Sequence, residues 1–322
     1  MKKRMKAAFL DYGTLGPGVD TASLDALVEV EYYEYSDPDA IPVRLQDAEI
    51  GIVNKARIDA ETLTANPNLK LIVLAATGSD NVDVATAQER GVAVANIRDY
   101  CTPAVVQHVF ALVLALTRQL NGYQAIVNAG AWQRSNTFAL FDYPIRELTG
   151  KALGIVGYGA LGRGVADAGR AFGMEVLLSA RPRGNGGTYA EPRIPFESLL
   201  ERADVLSLHC PLTESNRHLI GKRELAAMKS DALLINTARG ALIDSAALVE
   251  ALKSGTIAGA GIDVLAKEPP TDEEPLLVAG IPNLILTPHI AWTAKESRQR
   301  TLDQVAENVK DYLAGGKLRR LV

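Results

Sequence analysis

Residues 154–164 read GIVGYGALGRG, and the reading of this stretch decides the fold. It contains G-x-G-x-x-G at Gly157, Gly159 and Gly162. Alone the pattern is weak. Here it follows the apolar run ALGIV (152–156) and opens a helical stretch with apolar Leu161, Val165, Ala168 and Phe172. Strand, glycine turn and helix in that order are the context a dinucleotide fingerprint requires. Gly157 permits the tight turn, Gly159 lets the backbone approach a pyrophosphate, and Gly162 lets helix and strand pack closely. The helix N-terminus offers free N–H groups and the positive end of its dipole to the phosphates. Tyr158, Ala160 and Leu161 belong to the same cofactor turn. The alternative is a glycine-rich turn with no ligand.

The same alternation runs outward in both directions. Short apolar runs recur at 49–53 (EIGIV), 69–76 (LKLIVLAA), 92–96 (VAVAN), 174–179 (MEVLLS), 204–209 (DVLSLH), 232–237 (ALLINT), 257–263 (IAGAGID) and 283–287 (NLILT). Helical stretches separate most of them. Apolar strands alternating with helices imply parallel sheets covered on both faces, an α/β fold. Thr102-Pro103 reads as an N-cap followed by proline at the first helical position. Asp244 starts DSAALVEALKSG and Gly255 stops it. The last helix carries Leu302, Val305, Val309 and Tyr312 on one inward face.

A chain of 322 residues is too long for one ordinary core and predicts two domains. Hydrophobic residues make up 48% and charged residues 22%, the balance of a soluble globular protein. A net charge of −4 gives no broad basic surface for nucleic acid. Cys101 and Cys210 read as free thiols of a reducing compartment, and a cytoplasmic location is expected. The N-terminal MKKRMKAAFLDYG has an apolar core of only AAFL, too short for a signal peptide. The stretch AVVQHVFALVLAL (104–116) is shorter than a membrane span and is interrupted by Gln107 and His108, so no membrane partner is expected. After it, residues 128–151 are irregular yet carry Trp132, Phe138, Phe141 and Tyr143. An aromatic arm is rarely left in water, so it is expected either on a second subunit, giving a homodimer, or folded back on its own chain.

Open α/β sheets bind ligands at strand C-termini. Three chemically active side chains follow strands: Arg239 in NTARGALID, Glu268 in GIDVLAKEPP and His289 in LILTPHIAW. They suit reduction of a 2-keto acid. Arginine forks onto carboxylate and keto oxygens and polarises the carbonyl. Hydride goes to the carbonyl carbon, and histidine supplies the proton that the oxygen needs. A carboxylate beside the imidazole orients it and favours its protonated form. Singly, each has a bland alternative: a surface ion pair, a solvated loop acid, a satisfied strand-end histidine. The four histidines show no metal-ligand spacing, and no metal is expected.

With these segments in order, the chain resembles the D-isomer-specific 2-hydroxyacid dehydrogenases over nearly its whole length. The matching segments are TGSDNVD (77–83), GIVGYGALG (154–162), LHCPLT (208–213), LLINTARGALID (233–244), GIDVLAKEPP (261–270) and LTPHIAW (286–292). Within the family the resemblance is strongest to bacterial glycerate dehydrogenases, or hydroxypyruvate reductases. It implies two Rossmann-like domains, a dinucleotide-binding domain (99–290) inserted into a substrate-binding domain (1–98 plus 291–322). The family's arginine, glutamate and histidine fall on Arg239, Glu268 and His289. The resemblance further implies a carboxylate cradle of backbone N–H groups at Thr77, Gly78 and Ser79, where a glycine turn can form an anion nest. Asn54 and Lys55 are expected to line the same cleft, with a solvated lysine as the alternative for Lys55. On the cofactor side it points to Thr102, His209, Pro211, Asn216, Thr237, Ala238, Arg239, Asp263 and His289. The apolar helix from Thr102 and the aromatic arm, more apolar surface than one chain can cover, predict that the homodimer forms through the nucleotide domain.

The stretch LLSARPRG (177–184) departs from the family. Where an acid usually bonds the ribose 2′-OH, 18 residues beyond Gly162, the chain has Ala180. Loss of that acid removes repulsion of a 2′-phosphate, and Arg181 and Arg183, on a turn stiffened by Pro182, attract it. NADP(H) is therefore favoured, with NAD(H) as the alternative. The expected reaction is reduction of a small 2-keto acid such as glyoxylate or hydroxypyruvate. Two other readings are a nucleotide-sensing corepressor, whose relatives carry extra tails, and a phosphoglycerate dehydrogenase, whose substrate would need more positive charge.

Overall fold

The structure is a computed structural model that describes residues 4–182 and 192–322. Arg183 lies outside the described residues. The chain divides into two compact units, Met1–Cys101 with Trp292–Val322, and Thr102–Ala291.

The first unit holds five parallel strands, β1 (Lys6–Phe9), β2 (Glu29–Tyr32), β3 (Ile50–Val53), β4 (Leu71–Leu74) and β5 (Ala93–Ala95), in the order β2-β1-β3-β4-β5. β3 and β4, reading IGIV and LIVL, are buried at every position. A run with no polar alternation suits a strand covered on both faces. Two strands were not among those expected. β1 reads KAAF and takes in all but the last residue of the AAFL run, and β2 reads EVEY. β2 lies at the sheet edge, where only one side of the ladder is paired and charged residues tolerate exposure. The helix Lys295–Leu313 covers one face of this sheet. Its Leu302, Val305 and Val309 are fully buried among Phe9, Ile50 and Val73, and Tyr312 packs at the rim. Each buried aliphatic side chain contributes about 1.5–3 kcal/mol.

The second unit holds six parallel strands, β6 (Ala152–Val156), β7 (Glu175–Leu178), β8 (Val205–Leu208), β9 (Leu233–Asn236), β10 (Gly259–Ile262) and β11 (Leu284–Leu286), ordered β11-β10-β9-β8-β6-β7. The chain leaves β6 to build β7 on one side, then returns to build β8 on the other. That reversal opens a crevice at the C-terminal ends of β6 and β8, the usual ligand position in such sheets.

Helix Ser245–Ser254 begins and ends where expected. The Asp244 carboxylate accepts the Ala247 N–H, and Gly255 closes the helix in the left-handed conformation. Helix Ala160–Ala171 buries Gly162, Val165, Ala166 and Gly169, so of the apolar Leu161, Val165, Ala168 and Phe172 only Val165 is among its buried residues, and Gly162 packs closely as expected. Small residues win that interface because β6 comes so close. A Cβ on Gly169 would lie 2.4 Å from Leu153 Cδ2. Phe172 stays 41% exposed and stacks on Phe110 at 5.0 Å. Thr102 does not cap its helix. The helix Thr102–Thr117 starts at Thr102 itself, whose buried hydroxyl makes no hydrogen bond among the described residues.

The aromatic arm is not folded onto its own chain at its apolar tips. Phe138 and Phe141 are 91% and 85% exposed, and Trp132 only donates its indole N–H to Phe138 O. Among the described residues no single helix is long and apolar enough to cross a membrane.

Candidate active site

The glycine turn after β6 separates what the protein itself requires from what it leaves open. Gly157 has φ +95°, and a Cβ there would lie 2.5 Å from Cys210 N. A Cβ on Gly162 would lie 2.1 Å from Gly157 O. Conformation and packing explain both. Gly159 is different. Its backbone is extended (φ −80°, ψ −162°), and an added Cβ would meet nothing within 4 Å. No internal contact demands glycine there, so the open space is room for something outside the chain. Gly159 also occupies the N-cap of helix Ala160–Ala171 and gives no side-chain cap, which leaves first-turn N–H groups for an anion. Tyr158, Ala160 and Leu161 form the rest of this turn.

Buried atoms without partners mark the same unit. Thr102 Oγ1, His209 Nδ1 and Thr237 Oγ1 are buried and make no hydrogen bond among the described residues. Burial of an unsatisfied polar atom costs about 1–3 kcal/mol. All three residues are among those that the family resemblance places against the cofactor. His209, after β8, shares a 2.8 Å hydrogen bond between Nε2 and Ser207 Oγ. Burial of the ring pushes its pKa down to about 4, so the ring is neutral near pH 7. The residues present fit a dinucleotide: a glycine turn with open space, an uncapped helix start, and orphaned donors and acceptors.

A cavity at the tips of β6 and β7 is lined by Gly157, Ala180, Arg181, Pro182, Pro211 and Asn216, among others. Asn216 spends its amide on its own loop, donating to Pro211 O at 2.8 Å and accepting the Thr213 N–H at 2.6 Å. It shapes the cavity wall. Thr237 and Ala238 lie just after β9. The turn there is pinned by fully buried Asn236, which accepts the Ala238 N–H at 3.0 Å and donates to Arg239 O at 2.9 Å. Asn236 escaped the sequence reading, although a lone amide ending the run LLIN was the available signal.

Arg239 leaves β9 on that turn, with Nη1 donating to Ala238 O at 2.7 Å. The next residue presses against the loop after β10: a Cβ on Gly240 would lie 2.0 Å from Leu265 C. That loop carries Glu268. Its Oε1 accepts the Leu265 N–H at 2.8 Å, and its Oε2 lies 2.5 Å from His289 Nδ1. The side chains of His289 and Glu268 are 29% and 35% exposed, so the pair is open to a substrate. His289 Nε2 has no partner among the described residues.

The backbone of His289 is left-handed, φ +56°, and Asp263 surrounds it with bonds. His289 N donates to Asp263 O at 2.8 Å. The buried Asp263 carboxylate accepts Thr287 Oγ1 at 2.5 Å and the N–H groups of Ile290 and Ala291 at 2.9 Å each. His108 Nε2 lies 3.1 Å from Thr287 Oγ1 and 3.5 Å from Asp263 Oδ1. Asp263 was assigned to the cofactor from the resemblance, and its carboxylate is occupied with the histidine loop. His108 and Thr287 were missed, because nothing in their spacing announces the cluster.

In the first unit, Asn54 and Lys55 follow β3 and are held from behind. The buried Asp11 carboxylate accepts the N–H groups of Asn54 at 2.9 Å, Lys55 at 2.5 Å and Ala56 at 2.7 Å. Asn54 Nδ2 donates to Thr14 Oγ1 at 2.9 Å. Asp11 sits at the end of β1, a strand the sequence reading did not find. Thr77, Gly78 and Ser79 lie beyond β4. Their N–H groups make no hydrogen bond among the described residues, the condition an anion nest requires.

Glycine turn, switch point and orphaned polar atoms together define a dinucleotide-binding α/β protein of the oxidoreductase type. Comparison with known proteins narrows this. The model of the NAD-binding domain of D-isomer-specific 2-hydroxyacid dehydrogenases matches residues 110–291. A glycerate dehydrogenase of Methylorubrum extorquens is 46% identical over 306 residues, covering 92% of this chain and 95% of the relative. A hydroxypyruvate reductase of Blautia hydrogenotrophica is 37% identical over 316 residues, covering 97% and 98%. Among solved structures, the acyclic imino acid reductase Bsp5, in complex with NADPH and D-Arg, superposes with a TM-score of 0.84. It is 28% identical and is covered in full by 99% of this chain. The chain belongs to the D-isomer-specific 2-hydroxyacid dehydrogenase family, whose members act on small 2-hydroxy and 2-keto acids, and its second unit binds a nicotinamide dinucleotide.

Proposed function

We propose that the protein reduces a small 2-keto acid of the glyoxylate or hydroxypyruvate type to the D-2-hydroxy acid. The names of the relatives, glycerate dehydrogenase and hydroxypyruvate reductase, support this substrate class. The observation that carries the chemistry is the 2.5 Å contact of His289 with Glu268 at the C-terminal edge of the nucleotide sheet.

A reduced nicotinamide dinucleotide, whose pyrophosphate Gly157, Gly159 and Gly162 would hold, would supply the hydride when bound. Arg239 forks onto the substrate's carboxylate and keto oxygens and draws electrons from the carbonyl carbon. His289 Nε2 gives its proton to the keto oxygen as the carbon takes the hydride. Glu268 fixes the ring through Nδ1 and places a negative charge beside it, so the imidazole is aimed before substrate arrives. Thr77, Gly78 and Ser79 bind carboxylate through their N–H groups, and Asn54 and Lys55 assist. NADP(H) is favoured over NAD(H) because Ala180 replaces the usual acid. A fold neighbour solved with NADPH supports this preference. The working form is a homodimer, joined through the nucleotide unit by the exposed arm. Two free, half-buried cysteines suit a cytoplasmic setting.

A steady-state screen of 2-keto acids against NADPH and NADH, with chiral analysis of the product, tests the proposal. Glyoxylate or hydroxypyruvate should be reduced with the highest kcat/KM, and hydroxypyruvate should give the D-product. No turnover of any 2-keto acid would remove the proposal.

A further inference from the structure

Arg193 reaches the nucleotide cavity from a segment far from the motif. It stands 13 residues after Ala180, yet the fold lays its backbone along the end of β7. Ile194 N donates to Leu178 O at 2.9 Å, Ala180 N donates to Ile194 O at 2.8 Å, and Ser179 and Ile194 form a parallel bridge. The side chain is held as well. Nη1 donates to Ser179 O at 3.1 Å, and the guanidinium lies 5.3 Å from the centre of the Tyr158 ring. Arg193 lines the cavity with Arg181 and Ala180, and Thr213 and Ser215 contribute hydroxyls. The two charged residues among the described lining are both arginines, and no carboxylate is among them.

We infer that Arg193, together with Arg181, binds the 2′-phosphate of NADP(H), and that Arg193 is a specificity-determining residue for the cofactor. This rests on the proposal that a nicotinamide dinucleotide lies over the glycine turn, and it assigns the discrimination to a residue outside the motif. A ribose 2′-phosphate is a dianion near pH 7, and a guanidinium fork matches two of its oxygens. The Ala180 methyl leaves room and no opposing charge. Arg193 is pre-positioned by β7 and by Tyr158, so it loses little freedom on binding. Arg181 is exposed at the strand tip and supplies a second guanidinium.

Calorimetry of the full-length protein with 2′,5′-ADP and with 5′-AMP tests the inference, since the two ligands differ only in the 2′-phosphate. Wild type should bind 2′,5′-ADP about tenfold tighter or more, a gain of the size expected for a bidentate charged contact. Arg193→Gln should lose about tenfold or more for 2′,5′-ADP and change by less than about threefold for 5′-AMP, while Arg193→Lys, which keeps charge without the fork, should fall between them. Melting curves of each variant report whether the fold is kept. If Arg193→Gln weakens both ligands equally, Arg193 is a strut for the β7 edge and the inference is overturned. If wild type binds both ligands equally, the 2′-phosphate site and the NADP(H) preference fall together, while dinucleotide binding stands. If neither ligand binds, the cofactor reading itself fails.

Discussion

Around His289 a single buried carboxylate does most of the holding. Asp263→Ala would strand the Thr287 hydroxyl and the N–H groups of Ile290 and Ala291, each worth about 1–3 kcal/mol when left unsatisfied. The melting temperature should fall, and kcat should fall with it as His289 loses its backbone support. An unchanged melt would show that water replaces the carboxylate. Arg239→Lys keeps the charge and loses the fork, so KM should rise and kcat fall, each by about tenfold or more; unaltered kinetics would make Arg239 a structural residue. His209 yields a pH prediction. Its folded pKa, about 4, lies below the ordinary 6.5. Between those values the unfolded chain holds a proton that the folded chain lacks. Its contribution to stability is therefore complete above pH 6.5 and is lost as pH falls toward 4, by at most roughly 3 kcal/mol. Denaturant titrations of wild type and His209→Gln should diverge across that window; parallel curves would count against a buried neutral ring.

At the scale of the strand, turn and helix, two glycines of one motif make opposite predictions. Gly162→Ala places a Cβ 2.1 Å from a backbone oxygen, and overpacking of that kind costs about 1–3 kcal/mol. Gly159→Ala meets nothing, so stability should change by less than about 0.5 kcal/mol while cofactor affinity drops. Equal affinity of Gly159→Ala and wild type for the dinucleotide would show that the open space is not the pyrophosphate's. Elements carrying a continuous apolar run, such as β3, β4 and β6, were legible because burial on both faces writes itself into composition. β2 was not, since an edge strand reading EVEY carries no apolar signature. In helix Ala160–Ala171 close approach to β6 selects for small side chains at Gly162, Ala166 and Gly169, so Gly162 marks the buried face better than hydrophobicity does. Strand-end placement of Arg239, Glu268 and His289 could be read from the sequence. The 2.5 Å contact across 21 residues between Glu268 and His289, and the Asp11 and Asp263 clamps, depend on loop geometry that no spacing encodes.

For the molecule as a whole, Phe138 and Phe141 expose apolar surface that a soluble single chain rarely leaves uncovered. Light scattering at micromolar concentration should give the mass of a dimer, and Phe138→Asp with Phe141→Asp should shift it toward the monomer; a monomeric wild type would refute the assembly. The central claim is that this family member delivers hydride and proton to a 2-keto acid, with His289 as the proton source. Its most direct test is the rate of NADPH oxidation with hydroxypyruvate by wild type and by His289→Asn, with NADPH binding to both followed by fluorescence. Wild type should turn over, while the variant should show a kcat lowered by about a hundredfold or more and unchanged NADPH affinity. A variant with near-wild-type kcat would contradict the claim.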